Sequence, residues 1–152
     1  MTIITKNYEE TIDLGEKLGR LLSGGEFILL VGDLGGGKTQ LTKGIARGLG
    51  IQETIISPTF TIERVYENPR GLVLHHFDFY RLGIMEREIQ SEISDLRADD
   101  RNIIVVEWGK NIPQALPEEY LEIEIEYENE VKRKIFFRSQ GMRYREIIGG
   151  LQ

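Results

Sequence analysis

An α/β domain is the fold class that the sequence predicts, on three observations. An apolar run, Glu26-Phe27-Ile28-Leu29-Leu30-Val31, leads into a glycine-rich loop and then into a segment with Leu41, Ile45 and Leu49 at helical spacing. A second apolar run of strand length, Asn102-Ile103-Ile104-Val105-Val106, follows later in the chain. The C-terminal part alternates apolar with acidic residues and then turns back. Strand, glycine loop and helix in succession belong to open α/β sheets, whose ligands bind beyond the carboxyl ends of the strands.

The elements read in order as follows. Asn7 with Glu10 forms a helix N-cap and its box partner, and Leu14, Leu18, Leu21 and Leu22 then line one face until Ser23-Gly24-Gly25 ends the helix. The apolar run is a buried strand, and the helix after the loop stops at Gly50. Pro58 pushes Ser57 out of helical geometry, so Ser57-Pro58-Thr59-Phe60 is a loop or the start of a strand. Phe60 to Tyr66 and Leu72 to Phe77 read as strands joined by the turn Asn68-Pro69-Arg70-Gly71. A short helix is expected from Met85 to about Ser91.

Near the C-terminus Leu121, Ile123, Ile125 and Tyr127 face one way and Glu122, Glu124 and Glu126 the other. A turn near Glu128-Asn129-Glu130 leads to Val131 to Arg138, which carries Lys132, Arg133 and Lys134. An acidic strand against a basic one makes a C-terminal β-hairpin, with solvated cross-strand ion pairs favoured over a metal site. Roughly the last dozen residues are expected to be loosely held.

Composition narrows the class. The chain has 152 residues, for which one domain spanning residues 1–152 is the natural expectation. A net charge of −6 argues against gripping nucleic acid through an extended basic face of its own. With no cysteine there is no disulfide framework and no thiolate site. No basic-then-apolar leader and no run near ~18 apolar residues occurs, so a cytoplasmic protein without a membrane span is expected.

The loop itself, Gly32-Asp33-Leu34-Gly35-Gly36-Gly37-Lys38-Thr39, fits the phosphate-binding pattern Gly-x4-Gly-Lys-[Ser/Thr]. Its glycines let successive N–H groups turn inward at phosphate oxygens. Lys38 adds a full positive charge, the Thr39 hydroxyl is a ligand for Mg²⁺, and the following helix presents its positive dipole end. Such a loop needs an acidic partner at the end of a hydrophobic strand. Glu107 closes the run 103–106 and is that candidate for Mg²⁺, unless it is simply an exposed strand-end glutamate. Asp33, at a variable position of the loop, is the weaker metal candidate.

In His76-Phe77-Asp78-Phe79-Tyr80-Arg81, His76, Asp78 and Tyr80 share one face of an extended chain. Asp78 is a candidate to orient the attacking water or a metal-bound water, and Arg81 to contact phosphate or fix Asp78. The alternative is a structural polar cluster that anchors a loop.

The loop, Ser57-Pro58-Thr59-Phe60, His76-Phe77-Asp78-Phe79-Tyr80-Arg81 and Glu107-Trp108 together resemble, in order and rough spacing, the bacterial TsaE (YjeE) family of small P-loop ATPases. That family is needed to make N6-threonylcarbamoyladenosine at position 37 of tRNAs that read ANN codons. The resemblance spans residues 1 to 138. It implies a three-layer α/β P-loop NTPase-like domain with a mixed, mainly parallel sheet, and ATP with Mg²⁺ as nucleotide and metal. It implies nucleotide contacts from Leu34, Gly35, Gly36, Gly37, Lys38, Thr39 and Gln40, with Thr11 near the base. Thr39 and Glu107 would serve the metal, and Lys38, Asp78 and Glu107 the chemistry. Thr59 sits in a switch-like segment, and Trp108 beside the site. Partners would be TsaD-like and TsaB-like proteins, with tRNA met through that complex and the free chain a monomer.

Two positions depart from the family pattern. Gly36 stands where alanine is usual, and Lys110 where an acidic residue is frequent, which would set its charge near the phosphates or the base. Slow hydrolysis by the isolated chain is expected, with a group supplied or ordered by a partner completing the site. A small-molecule kinase and a nucleotide-gated regulatory module are the competing readings. A GTPase is disfavoured, since no Asn-Lys-x-Asp segment occurs.

Overall fold

The computed structural model describes residues 1–33, 35–81 and 86–152. In chain order these form β1 (Thr2–Thr5), α1 (Tyr8–Leu21), β2 (Phe27–Val31), α2 (Lys38–Gly48), β3 (Glu63–Glu67) and β4 (Val73–Asp78). There follow α3 (Glu86–Arg97), β5 (Asn102–Glu107), two 3-10 turns (Gly109–Asn111 and Pro113–Ala115), β6 (Tyr120–Tyr127), β7 (Arg133–Gln140) and α4 (Met142–Gly149). The strands make one mixed sheet in the order β1-β7-β6-β2-β5-β4-β3. The central four, β6, β2, β5 and β4, are parallel, and antiparallel strands close both flanks.

Two cores explain the three layers. On one face Ile28, Leu30, Val105 and Ile123 pack beneath Leu14 and Leu18 of α1, Leu41 and Ile45 of α2, and Ile147 of α4. On the other, Phe77, Ile104 and Val106 pack against Ile89 and Ile93 of α3 and Ile112 and Ala115 of the 3-10 turns. The central strands are apolar on both sides because helices cover both sides. Among the described residues no helix is long and apolar enough to cross a membrane.

The helices α1 and α2 meet backbone to backbone. A Cβ added to Gly15 would lie 2.3 Å from the Leu41 carbonyl oxygen, and one on Gly44 2.0 Å from that of Ile12. Gly19 and Gly48 repeat the contact one turn on, at 2.2 Å from the carbonyl oxygens of Ile45 and Glu16. Close approach of this kind leaves α2, and the loop that precedes it, little freedom to shift.

Several sequence expectations are revised. Glu10 accepts from the Lys6 N–H at 2.7 Å, while Asn7 caps the Glu10 N–H at 2.8 Å, so the box closes one residue early. Leu21 of the expected apolar face is exposed, whereas Leu14, Leu18 and Leu22 are buried. The strand expected from Phe60 begins only at Glu63, because the N–H groups of Thr61 and Ile62 both close onto the Pro58 carbonyl at 3.0 and 2.8 Å. The expected helix start at Met85 lies outside the described residues, and α3 runs on to Arg97. The terminal residues are not loose. The Tyr144 hydroxyl accepts from the Phe27 N–H at 2.9 Å, Leu151 is buried, and Arg143 pairs with the buried Glu26.

The C-terminal hairpin follows its charge pattern on the outer face only. Arg138 reaches Glu122 at 2.8 Å and Glu124 at 2.6 Å. Arg133 alternates with Ile135 and Phe137 on the inner face and is buried.

Candidate functional site

Parallel pairing brings the carboxyl ends of β2, β4 and β5 to one edge of the sheet. Asp78 is the register partner of Glu107, and Glu107 that of Leu30, two residues before the loop. The resulting cavity of about 330 Å³ has three walls. Gly35, Gly36, Gly37, Lys38, Thr39 and Gln40 form the first. Ser57, Thr59 and Asp78 form the second, and Glu107, Trp108 and Tyr8 the third.

The loop is shaped to present amides. Gly35 and Gly37 sit at φ of 73° and 109°, the left-handed region that disfavours side chains. Gly37 is the N-cap of α2 and supplies no side-chain cap bond, so the first amides of the helix are left for an anion. Lys38 is buried, and its ammonium folds back onto the Gly32 and Asp33 carbonyls, the latter at 3.2 Å. It also lies 4.9 Å above the Trp108 ring and 4.0 Å from Glu107 Oε1. Burial pulls its pKa below the ordinary 10.5, and Glu107, Asp78 and Asp33 oppose that shift in part.

The two carboxylates are each held. Asp78 Oδ2 accepts from the Thr59 hydroxyl at 3.0 Å, and its Oδ1 from the Tyr80 N–H at 2.9 Å. Ser57 lies 2.7 Å from Thr59, which fixes that hydroxyl in turn. Glu107 Oε2 lies 2.9 Å from His76 Nε2, and both side chains are buried. Among the described residues two non-glycine residues adopt positive φ, Ile62 at 68° and Trp108 at 58°, and both flank this site. For a β-branched residue such as Ile62 this backbone state costs on the order of 1–3 kcal/mol.

Most sequence candidates therefore converge on one cavity: Gly35 to Gln40, Thr59, Asp78, Glu107 and Trp108. Leu34 lies outside the described residues. Thr11 does not line the cavity. It is buried, with its hydroxyl 2.8 Å from that of Thr5, and Tyr8, one turn earlier on the same helix, occupies the wall instead. Lys110 is also absent from the wall. The chain turns at Trp108 and carries Lys110 to a separate, smaller cavity of about 170 Å³ beside Leu29 and Val31. Arg81 does not fix Asp78; it stacks on the exposed Phe60 ring at 5.3 Å.

Sequence reasoning missed Tyr8, the His76 contact to Glu107, and Arg133, whose Nε–H donates to the Gly36 carbonyl at 2.6 Å. The alternation of Arg133 with Ile135 and Phe137 was the available signal for the last.

Comparison with known proteins agrees with this geometry. The family model described as "Threonylcarbamoyl adenosine biosynthesis protein TsaE" matches residues 5–135. The chain is 39% identical to the tRNA threonylcarbamoyladenosine biosynthesis protein TsaE of Bacillus subtilis, over 92% of this chain and 86% of that protein. It is 39% identical to the protein of the same name from Treponema pallidum, over 78% and 85% of the two chains. The crystal structure of Bacillus subtilis YdiB superimposes with a TM-score of 0.82 at 33% identity, covering 99% of this chain and 93% of that one. The phosphate-loop edge, its paired carboxylates and these matches together place the chain in the TsaE family of threonylcarbamoyladenosine biosynthesis proteins.

Proposed function

We propose that the chain binds ATP with Mg²⁺ in this cavity and hydrolyses it to ADP and phosphate. In this reading it acts with TsaD-like and TsaB-like partners in forming N6-threonylcarbamoyladenosine at position 37 of ANN-decoding tRNAs, resetting their complex between cycles. The observation that carries the reading is the facing of Asp78 and Glu107, on adjacent parallel strands, toward Lys38 and Thr39 at the start of α2.

The residues suit the metal. Thr39, Glu107 and Asp78 offer hard oxygens, and among the described residues no cluster of three or more His, Cys, Asp or Glu side chains forms a dedicated cage. Magnesium favours that sparse arrangement, completing its shell with phosphate oxygens and water. Thr39 and Glu107 would hold it, and when bound it neutralises charge on the phosphates.

The chain's own groups supply the rest. Loop amides and the Lys38 ammonium take the β- and γ-phosphate charge in a partly desolvated cleft. Two of the three Lys38 N–H donors go to the Gly32 and Asp33 carbonyls, which leaves one for a charge-assisted contact with a phosphate. Asp78, fixed at both oxygens, is an acceptor for the attacking water. Turnover is slow for the isolated chain, and partners raise it by a factor on the order of 10³–10⁵. The net charge of −6 supports tRNA contact through the partners.

The test is nucleoside mass spectrometry of tRNA from cells depleted of the protein and complemented with wild type or Lys38→Ala. Loss of the modification, restored by wild type alone, is expected. An unchanged level in depleted cells would remove the chain from that process.

A further inference from the structure

Arg133 opens β7 on the inner face of the hairpin and is only 2% exposed. Its Nε–H donates to the Gly36 carbonyl at 2.6 Å, and its Nη1 to the carbonyls of Asn129 and Lys132 at 2.8 and 2.9 Å. The guanidinium lies 4.9 Å from the Tyr127 ring and 5.7 Å from that of Tyr8. Among the described residues no carboxylate pairs with it within 4.0 Å. Buried cations ordinarily have a counter-charge, because carbonyl dipoles and rings replace only part of the lost hydration.

The missing negative charge has an evident place. A peptide unit is planar and trans, so turning the Gly36 carbonyl toward Arg133 turns the N–H of Gly37 the opposite way. Gly36 and Gly37 line the cavity, Arg133 does not, and the Gly37 N–H has no acceptor among the described residues. A Cβ on Gly37 would sit 3.4 Å from Arg133 Nε, so this peptide rests directly on the guanidinium.

We infer that Arg133 is a positioning residue for the phosphate chain of the nucleotide, an inference that rests on the ATP-binding reading above. It holds the Gly36–Gly37 peptide with its N–H facing the phosphates, and it sets a buried positive charge behind the loop whose counter-charge is the ligand. The same side chain ties the loop to the hairpin tip at 128–132. Tyr8, from the cavity wall, reaches that tip as well, its hydroxyl donating to the Glu130 carbonyl at 2.8 Å. Filling the cavity therefore stiffens the tip.

Trp108, the only tryptophan, lines the cavity and gives a fluorescence readout for titration with ATP and Mg²⁺. Arg133→Met is expected to weaken binding about tenfold or more. Arg133→Lys, which keeps the charge but loses the fork, should recover part of that loss. Hydrogen exchange on the wild-type protein should slow at 128–133 when ATP is added. If either variant fails to fold, that exchange decides, and exchange unaffected by ATP overturns the proposal. Equal ATP affinity of wild type and variants overturns it too. A wild-type protein that does not bind ATP overturns the underlying cavity reading first, a result separate from either.

Discussion

His76 Nε2 lies 2.9 Å from Glu107 Oε2, with both side chains closed off from water. Among the described residues His76 Nδ1 has no partner, so the arrangement in which Nε2–H donates to the carboxylate leaves only a bare lone pair unsatisfied. Histidine thus orients the glutamate proposed above to hold the metal. His76→Leu is expected to lower ATP turnover about 10–100-fold and to raise the magnesium concentration needed for half-maximal rate. Steady-state rates against magnesium check this, and a wild-type magnesium profile would mean that Glu107 keeps its place unaided.

Lys38 gives a pH signature. Its pKa is lowered by burial in the free protein, and a bound phosphate chain would restore the charged form. ATP affinity should therefore fall as pH rises through that lowered value, with proton uptake on binding. Stability behaves oppositely: the cost of the buried charge is present in full below the folded pKa and is relieved as pH rises toward 10.5. Lys38→Ala should lose about 10–100-fold in affinity and the pH slope with it, as calorimetry at several pH values would reveal.

Thr59 bonds Asp78 at 3.0 Å and belongs to the segment that ends at the strained Ile62. Thr59→Val removes the hydroxyl at nearly constant volume. Turnover should fall about tenfold while ATP affinity stays within about twofold, since Asp78 is proposed to act on the water and not on the bound phosphates. Equal losses in both parameters would assign Thr59 to binding instead.

Gly44 separates α2 from α1 by a contact that tolerates no methyl group. Gly44→Ala would gain helix propensity yet force the helices apart, for a net loss of about 1–3 kcal/mol. Thermal unfolding measures it. A melting temperature at or above wild type would show that the helices part easily.

What was legible in the sequence and what was not divide along range. The phosphate loop, its strand and its helix are local; Glu107 could be read from its place at the end of an apolar run, and Asp78 from the face it shares with His76 and Tyr80. The tail misled because its glycines and charges look loose, although Tyr144, Ile147 and Leu151 recur at helical spacing. Four-residue β1 is too short for periodicity, and it exists because β7 offers it an edge. Resemblance put Thr11 near the base, and Lys110 stood out as a departure from the family; Thr11 bonds with the Thr5 hydroxyl and the turn at Trp108 carries Lys110 to a separate cavity, contacts that the sequence did not reveal. Arg133 was hidden by its neighbours: among Lys132 and Lys134 it reads as one more surface charge.

The sheet order also bears on how the protein is made. Ile28 pairs on one side with Val105 and on the other with Leu121, so the strand bearing the phosphate loop has neither neighbour while its own part of the chain leaves the ribosome. Contacts across such sequence distances close slowly, and the exposed edges of a waiting strand invite misassembly. On the proposed reading, ATP would not act as an early folding template here. The cavity requires Glu107, and the loop's rear support arrives only with Arg133, so the proposed nucleotide binding would mark a chain whose synthesis is nearly finished.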